Sequence, residues 1–363
     1  MRLASSLAAL ALCVLAGHAV AQIPAGYPAN YKALVDAAVK EGKVVIYSTT
    51  DAKLVTPLVK DFEAAFPGVK VDYGDMNSTE AYNRFTSENA ANAASADVLW
   101  SSAMDLQLKL AADGLALAYT SPETAALPDW AHWKDTVYAT TFEPIAFVYN
   151  KRLVTPDEVP KTHAEFTKLL ATKAEKFQGK VTTYDIEKSG VGFMLVNQDA
   201  KIDPQFWEFA KMLGQRNVKV QSSTGTMMER IASGENLIGY NILGSYALTL
   251  AKKNPSIGVQ FSTDYNLVLS RLSFISKNAR NPNAAKLWTD YLLSKRGQTI
   301  MATQAELYSV RRDAEGHDSG VAFAKTLGSA VKPIAVSADL LAGLDPAKRL
   351  EFLKQWQAAL GRK

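Results

Sequence analysis

The sequence predicts an α/β protein made of two open α/β lobes, with the chain crossing between them twice. Three observations support this fold class. A strand–turn–helix pattern occurs three times in the first third of the chain, extended segments flank a proline near residue 144, and an apolar extended segment spans 265–275. A length of 363 residues is long for one domain and comfortable for two.

The first strand–turn–helix unit begins at Lys43. Residues 44–47 are β-branched or aromatic, which predicts a buried strand, and the helix that Asp51 opens has an apolar face. The turn between them is Ser48-Thr49-Thr50. Ligands of open α/β sheets bind beyond the carboxyl ends of the strands, where loops lead into helix N-termini. These three hydroxyls are therefore either a ligand loop or only a helix cap.

The same pattern follows twice more. A strand at 69–73 leads to the turn Asn77-Ser78-Thr79, and a strand at 96–100 leads to Ser101-Ser102. Each turn alone is explained better by capping only, since Ser, Thr and Asn are preferred helix caps. If the three strands are parallel neighbours, however, all three turns lie on one edge of the sheet. That arrangement favours a shared pocket.

Residues 1–21 have the pattern of a signal peptide. Arg2 gives a positive start, an apolar run follows at 7–15, and Ala19-Val20-Ala21 is a small-residue cleavage site. A retained membrane anchor is the alternative, but the apolar run is too short to span a bilayer. Cleavage after Ala21 removes Cys13, the only cysteine, so thiol catalysis and cysteine metal sites are not expected in the mature chain. We expect a bacterial periplasmic protein.

Charge and motifs narrow the function classes. Removing residues 1–21 takes away Arg2 and no acid, so the formal charge falls from +4 to +3, and no basic run predicts a nucleic-acid partner. P-loop, G-x-S-x-G and H-E-x-x-H motifs are absent from the sequence, so we expect no enzyme. A hydrolase that uses Ser101 or Ser189 as nucleophile is the rival hypothesis, and it needs a base that no motif supplies.

The second half is predicted to contain the other lobe. Strands at 137–141 and 145–149 surround Glu143-Pro144, and the extended segment at 265–275 leads back. We therefore expect residues 22–143 and 268–363 to form lobe 1, which includes a C-terminal helix at 347–360. Residues 144–267 form lobe 2.

The second half adds candidate binding residues of the same kind. Small and hydroxyl side chains stand at predicted helix starts, where free N–H donors and a partial positive charge suit a small anion. Arg271 lies in the apolar crossing segment and needs a partner if it is buried. That partner is either solvent or an acidic side chain, or else a ligand phosphate or carboxylate. The predicted ligand-binding residues are Ser48, Thr49, Thr50, Ser78, Thr79, Ser101, Ser102, Thr141, Tyr184, Asp185, Ser189, Gly190, Ser223, Thr224, Gly225, Thr226, Asn241 and Arg271.

Residues 43–312 resemble the periplasmic solute-binding proteins of ABC importers, in the group that binds ferric iron, phosphonates or sugar phosphates. The resemblance implies a type 2 fold with two crossing strands, ligand capture by lobe closure, an ABC permease in the inner membrane as partner, a monomer and no cofactor. The stretches that carry it are Val44–Ser48, Ala96–Ser101, Ile238–Asn241, Pro282–Leu287 and Tyr308–Arg311.

One departure from this group bears on the ligand. Its iron-binding members hold Fe³⁺ with two adjacent tyrosines after the strand that corresponds to 238–241, but Tyr246 stands alone here. Ferric iron needs hard anionic oxygen ligands. The resemblance therefore implies no metal and a small organic anion, which is a phosphonate, an organic phosphate or a carboxylate. Ferric iron, or a role as loaded receptor for a membrane sensor kinase, is the alternative.

Asp51 makes a further prediction possible. A carboxylate so close to an anion site is expected to point away from it, along the helix. If Asp51 faced the cleft instead, the ligand would carry a cationic group, as an aminophosphonate does.

Overall fold

The computed structural model describes residues 23, 27–305, 307–316 and 325–362. The predicted signal peptide at 1–21 lies outside the described residues. Among the helices of the described part, none combines the length and the apolar character that a bilayer span requires.

The first lobe is built on a six-stranded sheet with the order β2-β1-β3-β12-β5-β4. Strand β1 pairs in parallel with both β2 and β3, which confirms that the three predicted strands are parallel neighbours. Strand β12 returns from the other half of the chain and pairs antiparallel with β3. The strands are β1 (Lys43–Ser48), β2 (Lys70–Asp75), β3 (Val98–Ser101), β4 (His132–Trp133), β5 (Val137–Ala139) and β12 (Leu272–Ile275).

Helices cover both faces of this sheet, and their ends follow local chemistry. The first helix ends at Gly42, which adopts the left-handed conformation that glycine permits at a C-terminus. The third begins after Asn77, whose side chain accepts a hydrogen bond from the Glu80 backbone N–H. The helices are α1 (Tyr31–Glu41), α2 (Ala52–Ala65), α3 (Ser78–Ala90), α4 (Met104–Ala112), α11 (Pro282–Leu293) and α12 (Lys295–Thr303).

The second lobe is built on a seven-stranded sheet with the order β13-β11-β6-β9-β7-β8, and β10 also pairs with β6. The strands are β6 (Glu143–Asn150), β7 (Val181–Tyr184), β8 (Lys219–Gln221), β9 (Ile238–Leu243), β10 (Ile257–Gln260), β11 (Asn266–Leu269) and β13 (Val331–Pro333). The helices are α5 (His163–Thr172), α6 (Ala174–Phe177), α7 (Gly190–Ile202), α8 (Phe206–Gln215), α9 (Thr224–Ser233), α10 (Gly244–Lys253) and α13 (Pro346–Ala359).

Two short connections join the sheets. Strand β5 ends at Ala139 in the first sheet and β6 begins at Glu143 in the second. Strand β11 ends at Leu269 and β12 begins at Leu272. The chain thus has two open α/β lobes joined by two crossing strands, as the sequence predicts. The residue boundaries of the lobes, at 143/144 and 267/268, stay a prediction.

The C-terminal segment differs from the expectation that it belongs to the first lobe. Helix α13 packs on α8 of the second lobe, where the buried Trp356 stacks on Phe206 with ring centroids 6.1 Å apart. Strand β13 pairs in parallel with β11. The 3₁₀ segment 338–344 contacts α4 of the first lobe. The segment therefore touches both lobes, because its apolar side chains find partners on each.

Candidate functional site

A cavity of about 350 Å³ lies between the lobes and is lined by the ends of their strands and the starts of their helices. Nine of the predicted ligand-binding residues line it. From the first lobe these are Thr49, Ser78 and Ser102. From the second lobe they are Tyr184, Ser189, Ser223, Thr224, Gly225 and Thr226.

Six helices begin at the walls of this cavity. In the first lobe α2, α3 and α4 follow the carboxyl ends of β1, β2 and β3, and in the second α7, α9 and α10 begin there. Parallel strands place these turns on one edge of each sheet, which explains the convergence. The partial positive charge at helix starts makes such a cavity suitable for anions, although Asp51 and Asp75 offset it at the start of α2.

The first-lobe wall is held by a contact between two turns. The Ser102 backbone N–H donates to Oγ1 of Thr49 at 2.9 Å, and this hydroxyl lies 3.2 Å from Oγ of Ser102. Ser102 is almost fully buried, whereas Thr49 is partly exposed to the cavity. The two turns that follow β1 and β3 therefore form one surface.

Capping hydrogen bonds fix the second-lobe wall. Oγ of Ser189 accepts from the Gly192 N–H at 3.3 Å, and Oγ of Ser223 accepts from the Thr226 N–H at 3.2 Å. The phenol of Tyr184 hydrogen-bonds Oγ1 of Thr224. Burial raises the pKa of Tyr184, so it stays a neutral phenol at this wall.

The two lobes touch across the cavity. The Val191 N–H of α7 donates to Oγ of Ser78 on α3 at 3.3 Å. The Tyr246 phenol of α10 accepts from the Asp51 N–H at 3.2 Å and donates to Oδ1 of Asp51 at 3.3 Å. A Cβ on Gly190 would lie 2.7 Å from Leu106 Cδ1, so glycine permits this close approach. The structure is a closed arrangement of the lobes.

The position of Asp51 contradicts the expectation that it points away along the helix. Asp51 lines the cavity, and its side chain makes no capping hydrogen bond to α2. Oδ2 of Asp75, at the end of β2, accepts from the Ala52 N–H at 2.9 Å instead. Burial, and then the neighbouring Asp75 charge, raise the pKa of Asp51. The Asp51 carboxylate therefore faces the cavity, because Asp75 caps the helix.

The sequence analysis did not select the acidic lining residues. Asp75 follows the predicted strand at 69–73 on the edge that carries the hydroxyl turns, and this position was the available signal. Glu229, on the second turn of α9, had no comparable signal. The lining residues that were missed are Asp51, Asp75, Met76, Asn77, Val191, Ser222, Glu229, Leu243 and Tyr246.

Arg271 lies behind the cavity wall, is fully buried and has an acidic partner. Its Nε and Nη2 donate to the Glu143 carboxylate at 2.7 and 3.2 Å, and Nη1 donates to the Thr49 carbonyl at 2.9 Å. The guanidinium carbon is 5.4 Å from the ring centre of Tyr246. Burial opposes the charge of Arg271, but the charge and hydrogen bonds of Glu143, together with Tyr246 and Tyr73, raise its pKa. The partner of Arg271 in the structure is thus an acidic side chain, Glu143.

Four other predicted residues lie in or beside the turns but do not line the cavity. Ser48 and Thr50 are fully buried, and Oγ of Ser48 accepts from the Thr50 N–H at 3.0 Å. Oγ of Ser101 accepts from the Ala103 N–H at 3.2 Å. Thr79, in the first turn of α3, is partly buried.

The remaining four predicted residues also lie outside the cavity lining. Gly190 packs between the lobes. Thr141 donates to Glu143 at 2.8 Å, and the Asp185 carboxylate accepts from the Glu187 N–H at 3.1 Å. Asn241 has a positive φ of 59°, where Asn is tolerated, and its amide donates to Asp199 at 2.8 Å.

The cavity also bears on metal binding. In the part of the chain that the structure describes, no group of three or more His, Cys, Asp and Glu side chains is placed to hold a metal ion. Tyr246, which has no adjacent second tyrosine, lines the cavity, and its phenol donates a hydrogen bond to Asp51.

Comparison with solved structures finds the same fold. A substrate-binding protein of an ABC transporter from Agrobacterium tumefaciens is 38% identical, with a TM-score of 0.84 over 88% of this chain and 94% of its own. The periplasmic binding protein AfuA from Actinobacillus pleuropneumoniae, with exogenous fructose-6-phosphate bound, is 20% identical, with a TM-score of 0.71 over 88% and 99%. Iron-bound HitA from Pseudomonas aeruginosa is 18% identical, with a TM-score of 0.67 over 87% and 99%.

Comparison with protein families matches residues 57–325 to the model of the bacterial extracellular solute-binding proteins. The matched range includes both crossing connections and most of the cavity wall. This chain, with its two lobes closed around a cavity of hydroxyls and helix N-termini, belongs to the bacterial extracellular solute-binding protein family.

Proposed function

We propose that this protein is the periplasmic substrate-binding component of an ABC importer. It captures a small organic anion, namely a phosphonate, an organic phosphate or a carboxylate, by lobe closure and delivers it to the membrane permease. The solute-binding family and the similarity to the Agrobacterium tumefaciens ABC transporter protein support the transport role.

The observation that carries the ligand class is the convergence of six helix starts on one cavity. Hydroxyl side chains cap the helices α7 and α9 at this point and are small enough for an anion to approach the backbone N–H groups. The cavity volume of about 350 Å³ suits a small metabolite.

Lobe closure supplies the binding mechanism. Hydrogen bonds join Ser78 to Val191 and Asp51 to Tyr246 across the cavity. A ligand that contacts both walls favours the closed arrangement over the open one, because it binds the closed form more tightly. The two connections between the sheets are the positions at which the lobes would hinge.

A ligand screen by thermal shift tests the proposal. Organic phosphates, phosphonates, carboxylates and Fe³⁺ are added to protein stripped of ligand by unfolding and refolding. An increase in Tm with at least one class of organic anion is expected, since a ligand that binds only the folded state stabilises it. Stabilisation by Fe³⁺ alone, with the appearance of visible colour, would show that the ligand class is wrong.

A further inference from the structure

The charged residues at the cavity wall are all acidic. Asp51, Asp75 and Glu229 line it, and among the described residues that line it there is no lysine or arginine. Arg271, which lies behind the wall, is neutralised by Glu143 through two hydrogen bonds. A ligand with only negative charge would therefore face carboxylates without a balancing cation.

The helix starts in the cavity are of two kinds. The start of α2 carries two carboxylates, because Asp75 caps the Ala52 N–H and Asp51 stands at the N-cap position. The starts of α7 and α9 are capped by the neutral hydroxyls of Ser189 and Ser223. The partial charge of α2 is thus already offset, whereas α7 and α9 remain available to an anion.

The two aspartates also have room for a donor. Oδ2 of Asp75 is occupied by the Ala52 N–H, and Oδ1 of Asp51 accepts from Tyr246. The other oxygen of each carboxylate has no hydrogen-bond partner within the described residues. Proximity of the two charges is unfavourable, and it contributes to the raised pKa of Asp51. A ligand cation between them would relieve this repulsion.

We infer that the ligand is a zwitterion, whose ammonium group lies between Asp51 and Asp75 while its anionic group lies at the starts of α7 and α9. The inference rests on the proposed function and deepens it. The site is expected to bind an analogue without the amine much more weakly, because the Asp51 and Asp75 carboxylates would then have no positively charged partner.

Paired probes test this inference. Titration calorimetry compares 2-aminoethylphosphonate with ethylphosphonate, and 3-aminopropanoate with propanoate. In at least one pair, the amine-bearing probe is expected to bind about 10- to 100-fold more tightly, as a charge-assisted hydrogen bond allows. Asp51→Asn and Asp75→Asn are expected to weaken that probe by a similar factor and to reduce the difference within the pair. Asp72→Asn, an exposed carboxylate of β2 outside the cavity, is the matched control and is expected to bind as wild type.

The outcomes separate the inference from the proposed function. Equal binding of both members of every pair that binds overturns the zwitterion and leaves the organic-anion importer intact. Binding of putrescine or Ca²⁺ without binding of any anion overturns the proposed function and the inference together. If none of the probes binds, the ligand released from native protein is analysed by mass spectrometry. A released ligand without an acidic group overturns the proposed function and the inference together. A released ligand with an acidic group but without a basic nitrogen overturns the inference alone.

Discussion

Arg271 and Glu143 form a buried ion pair that links the two connections between the lobes. Nε of Arg271 lies 2.7 Å from Oε1 of Glu143, and both side chains are 0% exposed. Oε2 of Glu143 also accepts from the Ser245 hydroxyl of α10 at 2.6 Å, while Arg271 holds the Thr49 carbonyl of the first lobe. Through these hydrogen bonds the ion pair connects a turn on each wall of the cavity to the two connections between the lobes.

Removal of one partner of this pair is expected to be costly. Glu143→Gln leaves the Arg271 charge buried without its counter-charge, and we expect a loss of about 3–5 kcal/mol in the free energy of unfolding. Urea denaturation measures it. Lys70→Met is the control, because Lys70 forms an exposed ion pair with Glu63 and should lose at most about 1 kcal/mol. Equal losses in the two variants would contradict the structural role of Glu143.

Gly190 is expected to control closure. The Cβ of Gly190→Ala would lie 2.7 Å from Leu106 and 3.3 Å from Ser78 Oγ in the closed arrangement, but opening the lobes removes the overlap. Leu106 Cδ1 is the free end of a partly exposed side chain that can shift, so overpacking of about 1 kcal/mol in the closed form predicts a loss of ligand affinity of roughly 5-fold. Calorimetry gives the affinity, and small-angle scattering gives the radius of gyration.

The double variant Gly190→Ala/Leu106→Ala tests the assigned cause. It removes the atom that the new methyl group meets, so affinity should recover in part. If Gly190→Ala binds as tightly as wild type, the close approach does not limit closure.

The Tyr246 phenol is expected to stabilise the closed form. Tyr246→Phe keeps the ring beside Arg271 and removes the contact with Asp51. We expect an affinity loss of about 3- to 10-fold, as one hydrogen bond of roughly 0.5–1.5 kcal/mol allows, with little change in unfolding. Tyr240→Phe is the contrast, because that phenol donates to Asp199 within the second lobe. It should reduce the free energy of unfolding and leave affinity unchanged. The reverse pattern would refute the assignment.

Asp105 is expected to make stability depend on pH. Burial raises its pKa to about 7 from an ordinary value of 3.8, although the Leu106 N–H and the charge of Arg349 oppose the shift. The folded state therefore binds the proton more tightly than the unfolded state, and its contribution to stability falls as pH rises from about 4 to about 7. The free energy of unfolding of Asp105→Asn minus that of wild type should therefore be larger at pH 8 than at pH 5. A constant difference between the two proteins at both pH values would contradict this.

The sequence predicted the cavity wall where the backbone alone decides the geometry. Thr49, Ser78 and Ser102 were found because parallel strands share an edge. Asp51 was predicted wrongly because the direction of its side chain depends on Asp75, which belongs to the next strand and takes the capping position. The sequence around Asp51 does not show that Asp75 takes the place of Asp51 as the cap of α2.

Long-range partners explain the other differences. Arg271 required a counter-charge, but which carboxylate supplies it depends on how the two connections lie side by side. The sequence predicted a C-terminal helix at 347–360, but it could not predict that Trp356 meets Phe206 of the second lobe. In both cases the residues are distant in sequence and their meeting is a property of the assembled fold.

The position of α13 has a consequence for how the second lobe buries its apolar surface. Strand β12 and helices α11 and α12 complete the first lobe, and Trp356 completes a hydrophobic surface of the second. The segment from β12 onwards thus supplies part of the core of each lobe. A truncation before Pro346 would leave Phe206 and its neighbours without their cover. Such a chain would expose an apolar surface of the second lobe that α13 otherwise covers.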